Sequence, residues 1–115
     1  MLNLQVFEKA YRLSLDVHRI SLELPQIEQF ALADQIRRSS RAICSNLVEG
    51  FSRNQSTKEK RQYVRFAIGS NDEVRLWLQY MYDLDYLNEP TFGKLKSGYE
   101  EVGRMLHGLW LKLEK

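Results

Sequence analysis

Residues 35–65 read QIRRSSRAICSNLVEGFSRNQSTKEKRQYVR, and this stretch decides the fold and carries most of the positive charge of the chain. It indicates two amphipathic helices joined by the short polar turn Ser52–Gln55. From Arg37 to Arg65 there are eight basic residues and two acidic ones, a charge of +6, whereas the remaining residues carry −4. The sequence therefore predicts a helical hairpin with a local positive field that the net charge of +2 conceals.

Length and composition are those of one globular domain, residues 1–115, with 43% hydrophobic and 28% charged residues. The lone cysteine, Cys44, has no partner for an intrachain disulfide, and nothing resembling a signal peptide opens the chain, so we expect a reducing cytoplasm. No apolar run approaches the roughly 20 residues that span a bilayer. A membrane role has no support in the sequence.

Apolar periodicity predicts four helices. Their expected bounds are Leu4 to Leu22, Leu32 to about Gly50, Ser56 to about Tyr86, and a last helix that follows Pro90. Ser56 and Glu59 have the capping-box spacing that starts a helix. Gly50 either ends the second helix in a left-handed conformation or permits close packing if that helix continues. Long amphipathic helices joined by short loops predict an all-α, up-down-up-down four-helix bundle.

The core of each helix is expected along residues spaced three or four apart. For helix one this stripe is Leu4, Phe7, Tyr11, Leu15, His18 and Leu22, and for helix two it is Leu32, Ile36, Ser39, Ile43 and Leu47. For helix three it is Tyr63, Phe66, Ser70, Val74, Trp77, Met81 and Leu84, and for helix four it is Phe92, Leu95, Tyr99, Val102, Leu106, Leu109 and Leu113. Gly69 lies in the middle of helix three, where glycine costs about 1 kcal/mol relative to alanine.

Several motifs resemble those of the ribosomal-RNA intervening-sequence proteins, which are four-helix bundles. They are Phe30–Ser40 with its Gln-Ile-Arg-Arg core, Ile43–Gly50 with Ser-Asn-x-x-Glu-Gly, then Arg53, Ser56, Lys58-Glu59 and Ala67–Ser70. The resemblance covers nearly the whole chain. One departure is Asn71, which stands where the family usually has leucine, so the packing of helix three there is expected to differ.

Members of that family are similar in fold to the accessory protein of diversity-generating retroelements, which forms a pentameric barrel and works with a reverse transcriptase and nucleic acid. The resemblance therefore implies a homopentamer, RNA or DNA binding, and a reverse transcriptase or another protein as a partner. These are expectations from the resemblance and not from the composition of the chain.

The basic residues of the central stretch are the candidate nucleic-acid contacts: Arg37, Arg38, Arg41, Arg53, Lys58, Lys60, Arg61 and Arg65. An antiparallel hairpin would place Arg37 and Arg38 level with Glu73 and Asp72, which would neutralise them within the chain. Around the turn only Glu59 offsets the basic residues, so aligned subunits would form a basic rim able to hold a phosphate backbone.

No catalytic, cofactor or metal motif is recognisable, so we expect a protein that is not an enzyme. Neither His18 nor His107 has metal-ligand spacing, and Cys44 is interpreted as a small buried thiol. The aromatic residues are interpreted as core or subunit interface. Two functions remain open: a homo-oligomeric nucleic-acid-binding or accessory protein, and a structural or protein-interaction module.

Overall fold

The structure is a computed structural model that describes residues 2–52 and 54–114. The elements are α1 (Gln5–Ser21), a short 3₁₀ helix (Gln26–Glu28), α2 (Leu32–Phe51), α3 (Thr57–Asp83) and α4 (Glu89–Lys112). The described residues contain no β-strand, which confirms the predicted all-α class. None of their helices is both long and apolar enough to cross a membrane.

The helix ends follow from local chemistry. Ser56 and Glu59 form the predicted capping box, in which the Ser56 Oγ accepts from the Glu59 N–H at 3.1 Å and the Glu59 carboxylate accepts from the Ser56 N–H at 2.9 Å. Asn88 caps α4, and its side chain accepts from the N–H of Thr91 at 2.8 Å. These caps supply partners for backbone donors that the first helical turn leaves unpaired.

Each helix packs against its neighbour in the chain, and α4 also packs against α1. The α1–α3 and α2–α4 pairs make no contact among the described residues, so these helices lie at diagonal positions. Between α3 and α4, Arg61 contacts Trp110 and Tyr82 stacks on Phe92, so the start of α3 lies beside the end of α4. The molecule is elongated, with extents of 45 × 23 × 20 Å.

The buried stripes of α2 and α4 match the prediction. All five expected residues of α2, from Leu32 to Leu47, are buried. In α4, Leu95, Tyr99, Val102 and Leu106 form the buried part of the expected stripe, and its outer members are partly buried. Burial of these apolar side chains drives the packing.

The stripe predicted for α3 is wrong. The residues that face the core are Val64, Ala67, Asn71, Val74, Leu78 and Met81. Of the expected set only Val74 and Met81 are buried, whereas Phe66 and Leu84 are about half-exposed. The helix therefore carries two apolar stripes, and the one with the larger side chains faces outward. In α1 the expected Tyr11, Leu15 and Leu22 are likewise exposed.

Asn71 introduces a polar side chain into the core, where it is 1% exposed. Its Nδ2 donates to the carbonyl oxygen of Tyr99 at 3.1 Å, which links α3 to α4. Its Oδ1 and the Tyr99 hydroxyl are buried without a hydrogen-bond partner among the described residues. This position is where the expected departure from leucine lies, and the structure accommodates it with one hydrogen bond.

Gly50 permits close packing and does not end the helix. Helix α2 continues through Phe51, and no glycine among the described residues has a positive φ. A Cβ on Gly50 would lie 2.7 Å from the Cβ of Tyr63, closer than two carbon atoms can approach without a shift. The glycine therefore sets the separation of α2 and α3 near their connecting turn.

Candidate nucleic-acid interface

The structure divides the eight predicted contact residues into two groups. Arg37, Arg38 and Arg41 lie in the first half of α2, and Lys58, Lys60, Arg61 and Arg65 lie in the first turns of α3. Arg53 lies outside the described residues. Ten residues separate Arg41 from the end of α2, about 15 Å along the helix axis. The two groups are therefore separate in space.

Arg37 is used inside the fold. Its Nη2 donates to the carbonyl oxygen of Gln29 at 2.8 Å, and its Nη1 donates to the Oγ of Ser21 at 2.8 Å. Ser21 is the last residue of α1, where the partial negative charge of a helix C-terminus favours a cation. Arg37 therefore braces the connection between α1 and α2.

The other two arginines of α2 also have partners within the chain, although not the expected ones. Arg38 pairs with Asp34 on its own helix, with 2.9 Å between Nε and Oδ2. Arg41 contacts His18 of α1, with 3.1 Å between Nη2 and Nδ1, and this contact requires an unprotonated Nδ1 that accepts. Neither Asp72 nor Glu73 takes part, because the nearest acceptors come from the same helix turn and from α1.

Arg61 ties the start of α3 to the end of α4. Its Nε donates to the carbonyl oxygen of Trp110 at 3.1 Å, and its guanidinium carbon lies 3.5 Å from the centre of the Trp110 ring. Its Nη2 lies 3.7 Å from Glu114 Oε1. A stacked, hydrogen-bonded and half-buried guanidinium is held by the fold, so its charge adds to the local field but its donors are already engaged.

Lys58, Lys60 and Arg65 remain without a carboxylate within salt-bridge distance among residues 2–52 and 54–114. Lys58 and Arg65 are exposed and lie seven residues apart, on the same side of α3. The Lys60 ammonium lies 5.7 Å from the centre of the Phe51 ring. We call these three residues the basic end.

Two acidic groups near the basic end are engaged locally. Backbone and side-chain hydrogen bonds to Ser56 lower the pKa of Glu59, which keeps this carboxylate charged but oriented toward the helix start. The second acidic group is Glu49, whose carboxylate accepts a hydrogen bond from the Tyr63 hydroxyl. This hydrogen bond and the negative charge of Glu49 raise the pKa of the Tyr63 hydroxyl. Asn46, the other polar residue singled out in α2, donates to the carbonyl oxygen of Ala42 in its own helix at 2.8 Å.

Sequence reasoning missed Lys112, an exposed residue in the last turn of α4. The Arg61–Trp110 contact places that turn beside the start of α3, so Lys112 adds a positive charge near the basic end. The position of Lys112 follows from the predicted up-down-up-down order, because a fourth helix that runs opposite to the third ends beside the start of the third. The local charge count considered only the central stretch and left it out.

A cleft beside the basic end combines polar and aromatic groups. It lies between α2 and α3 and is lined by Asn46, Gln62, Arg65, Phe66, Gly69, Ser70 and Glu73. Its side chains offer amide donors and acceptors, a hydroxyl, one guanidinium, one carboxylate and a half-exposed phenyl ring. Such a surface can contact phosphates and ribose or base edges, although it contains no arrangement specific for one base.

The described residues do not bring together a recognisable set of catalytic or metal-binding groups. No three His, Cys, Asp or Glu side chains cluster in metal-binding geometry within the ranges 2–52 and 54–114. Burial raises the pKa of Cys44 to about 11, which keeps the thiol protonated and unreactive near neutral pH.

Comparison with known proteins agrees with this architecture. Residues 2–108 match the family model of the 23S rRNA-intervening sequence protein. The chain is also similar in fold to a crystal structure of a protein with unknown function from the S23 ribosomal protein family of Bacteroides thetaiotaomicron, with a TM-score of 0.83 and 19% identity over 91% of this chain and 94% of that one. None of the curated proteins matches. On the strength of a match that spans nearly its whole length, the chain belongs to the 23S rRNA-intervening sequence protein family.

Proposed function

We propose that this protein is a non-catalytic homo-oligomer that binds the phosphate backbone of RNA or DNA through its basic end, as an accessory to a nucleic-acid enzyme such as a reverse transcriptase. The observation that carries the proposal is the group Lys58, Lys60 and Arg65, which have no carboxylate partner among the described residues. Cations without internal partners attract phosphates and release counterions on binding, without a requirement for sequence.

The proposal places the basic end at one pole of an up-down-up-down bundle. Contacts between α1 and α2, and between α3 and α4, join opposite ends of successive helices, as in Arg37 with Ser21 and Arg61 with Trp110. The α3 N-terminus, with its partial positive charge, lies at this pole. The α1–α2 and α3–α4 connections lie at the other pole, and Tyr86 of the second connection donates to Glu28 of the first at 3.0 Å.

Assembly would multiply the effect of a small number of charges. Three cations on one subunit bind a phosphate backbone weakly, whereas a ring of aligned subunits presents several copies to one strand, and linked weak contacts gain affinity through effective concentration. The exposed apolar residues Leu76, Tyr80 and Leu84, spaced four apart on the outward side of α3, support oligomerisation, since exposed apolar surface of this kind marks interaction sites. We propose a closed ring of identical subunits, with five as the number that the family resemblance implies.

A structural or protein-interaction module is the second candidate. It is favoured by the observation that Arg37, Arg38, Arg41 and Arg61 all have partners within the chain, which leaves fewer free cations than the sequence contains. In this alternative the apolar stripe of α3 is the functional surface, and the charge asymmetry affects only solubility or the approach of an acidic partner.

The test is fluorescence anisotropy of labelled single-stranded RNA and DNA across a salt series, with the natural chain and a variant carrying Lys58→Glu and Arg65→Glu. Both residues are exposed, so the substitutions leave the core unchanged. The logarithm of the binding constant should fall linearly with the logarithm of salt concentration, with a slope of about 0.7 for each neutralised phosphate of a single strand. The variant should bind more weakly and with a shallower slope.

A matched control carries Lys94→Glu and Lys96→Glu. These exposed residues lie near the start of α4, at the opposite pole, and the two substitutions change the net charge by the same amount. The control should keep the binding constant and slope of the natural chain. Equal loss in both variants would indicate a general charge effect and contradict a basic-end site. Absence of binding by the natural chain at low salt would overturn the nucleic-acid proposal and favour the interaction module.

A further inference from the structure

The loop between α1 and α2 presents two large apolar side chains almost entirely to solvent. Ile27 is 83% exposed and Phe30 is 89% exposed, and the neighbouring Leu22 is 59% exposed. We call these three residues the apolar knob. Single exposed apolar residues are common on folded proteins, but three large ones in one short loop form the kind of surface that marks an interaction site.

The loop is held rigidly in this position. Gln29 Nε2 donates to the carbonyl oxygens of Ser21 at 2.9 Å and Leu24 at 3.0 Å, and Arg37 braces Gln29 and Ser21 from α2. The Leu32 N–H also lies 3.4 Å from the Glu28 carboxylate. A loop fixed by its own hydrogen bonds presents its side chains with little further loss of conformational entropy on binding, which favours a preorganised contact surface.

A second uncovered apolar surface lies on α3. Phe66, Leu76, Tyr80 and Leu84 are between 47% and 50% exposed and follow one side of the helix. We call these four residues the outer stripe. The core residues Val64, Val74 and Leu78 each lie two positions before an outer-stripe residue, a rotation of about 200° on a helix, so the outer stripe faces away from the core.

The knob and the outer stripe cannot cover each other within one chain. Ile27 and Phe30 are more than 80% exposed and the outer-stripe residues are about half-exposed in the folded chain, so neither surface buries the other. The Leu84 end of the outer stripe lies near the knob loop along the bundle axis, because the Tyr86 hydroxyl, just beyond the end of α3, donates to Glu28 in that loop. Tyr80 and Leu76 lie about 6 Å and about 12 Å farther along the helix from Leu84.

We propose that the apolar knob of one copy packs against the outer stripe of a second copy, around Leu76 and Tyr80. This inference rests on the assembly part of the proposed function and specifies the contact that makes it. Two different surfaces meet, so the contact is heterologous, and each copy keeps one free knob and one free stripe for further neighbours. Because each copy keeps one free knob and one free stripe, copies can add side by side and close into a ring.

The size of the two surfaces suits a second copy as the occupant. At roughly 200 Å² for a large apolar side chain, the knob and the stripe each expose on the order of 400 Å². Together they supply the apolar half of a standard interface of about 1,600 Å² in total. One repeated contact between copies covers both surfaces at once.

The test compares the mass in solution of the natural chain, whose monomer is 13.6 kDa, with that of Phe30→Glu and Leu76→Glu by light scattering after size exclusion. Phe30 is 89% exposed and Leu76 is 49% exposed, so neither substitution alters the core. Circular dichroism verifies that both variants fold. Each variant alone should be monomeric at the concentration at which the natural chain assembles. The control Leu111→Glu changes a similarly exposed leucine of α4 outside both surfaces and should still assemble.

Mixing the two variants gives the decisive result. Phe30→Glu retains an intact stripe and Leu76→Glu retains an intact knob, so an equimolar mixture should form a one-to-one dimer through the single intact contact. Failure of the mixture to associate, or assembly of either variant alone, would overturn the knob-to-stripe contact while leaving assembly itself standing. A natural chain that stays monomeric would overturn both this inference and the assembly part of the proposed function.

Discussion

Substitution of leucine for Asn71 is expected to stabilise the protein by about 1–2 kcal/mol, since a buried polar group with an unpaired atom costs more than its single hydrogen bond returns. Asn71 is 1% exposed, its Oδ1 lacks a partner among the described residues, and its Nδ2 donates to the carbonyl oxygen of Tyr99. Leucine has a similar branched shape. Gly103 of α4 leaves space beside the amide, because a Cβ added at position 103 would lie 3.1 Å from the Asn71 Nδ2.

The magnitude follows from opposing contributions. Loss of the hydrogen bond to Tyr99 costs about 1 kcal/mol, and removal of an unsatisfied buried carbonyl returns about 1–3 kcal/mol. The Tyr99 carbonyl lies in the middle of α4 and keeps its helical partner, so the substitution leaves no new unpaired acceptor. Burial of additional apolar surface adds about 0.8 kcal/mol for each methylene equivalent. The net gain corresponds to a rise in Tm of about 3–10 °C for a chain of this size.

Urea and thermal denaturation followed by far-UV circular dichroism measure this change, at one fixed protein concentration because assembly also affects stability. Asn71→Ala is the matched control, since it removes the same polar atoms but leaves a cavity, and it should be about 2–4 kcal/mol less stable than Asn71→Leu. A leucine variant less stable than the natural protein would refute the reasoning, because the single hydrogen bond would then outweigh the unpaired carbonyl.

Two further predictions address neighbouring parts of the bundle. Gly50→Ala should lower the free energy of unfolding, measured in urea, by about 1–2 kcal/mol. The added Cβ would lie 2.7 Å from the Cβ of Tyr63, and this overpacking costs more than alanine gains in helix propensity. An increase in the free energy of unfolding would show that α2 and α3 can separate freely. At pH 8, iodoacetamide should alkylate Cys44 about 100-fold more slowly in the folded protein than in urea. Only the thiolate reacts, and burial raises the pKa of Cys44 from 9.0 to about 11, so the folded protein contains less thiolate. Equal alkylation rates would contradict the burial of Cys44. For the same reason, the contribution of the buried thiol to stability is present below pH 9 and is lost as the pH rises from 9 to 11.

The parts of the fold that sequence predicted correctly depend on local chemistry. The capping box at Ser56 and the single apolar stripes of α2 and α4 need only residues a few positions apart. Helix α3 was harder, because it has two apolar stripes with the same periodicity. Large residues such as Phe66 and Leu84 suggested the wrong stripe, and the true core contains Ala67 and Asn71, whose size and polarity do not identify them as core.

The candidate site was harder to predict than the fold, because the state of each arginine depends on distant residues. Arg37 binds Gln29 and Ser21 through a loop whose path is not encoded by periodicity, and Arg61 stacks on Trp110, 49 positions away. A charge count treats these side chains as equal to Lys58. Only the packed structure separates cations held by the fold from cations without a partner.

The stacking of Arg61 on Trp110 has a spectroscopic consequence. An indole covered by a guanidinium at 3.5 Å reports optically on that cation, and the ring lies close to the basic end. If a phosphate bound at the basic end shifted this guanidinium, the emission of the indole would change and would report the binding of an unlabelled oligonucleotide. Trp77, on the other tryptophan-bearing helix, packs near Tyr80 and reports instead on the outer surface of α3. The two chromophores would thus report separately on the two proposed contacts, with nucleic acid at the basic end and with a neighbouring subunit on α3.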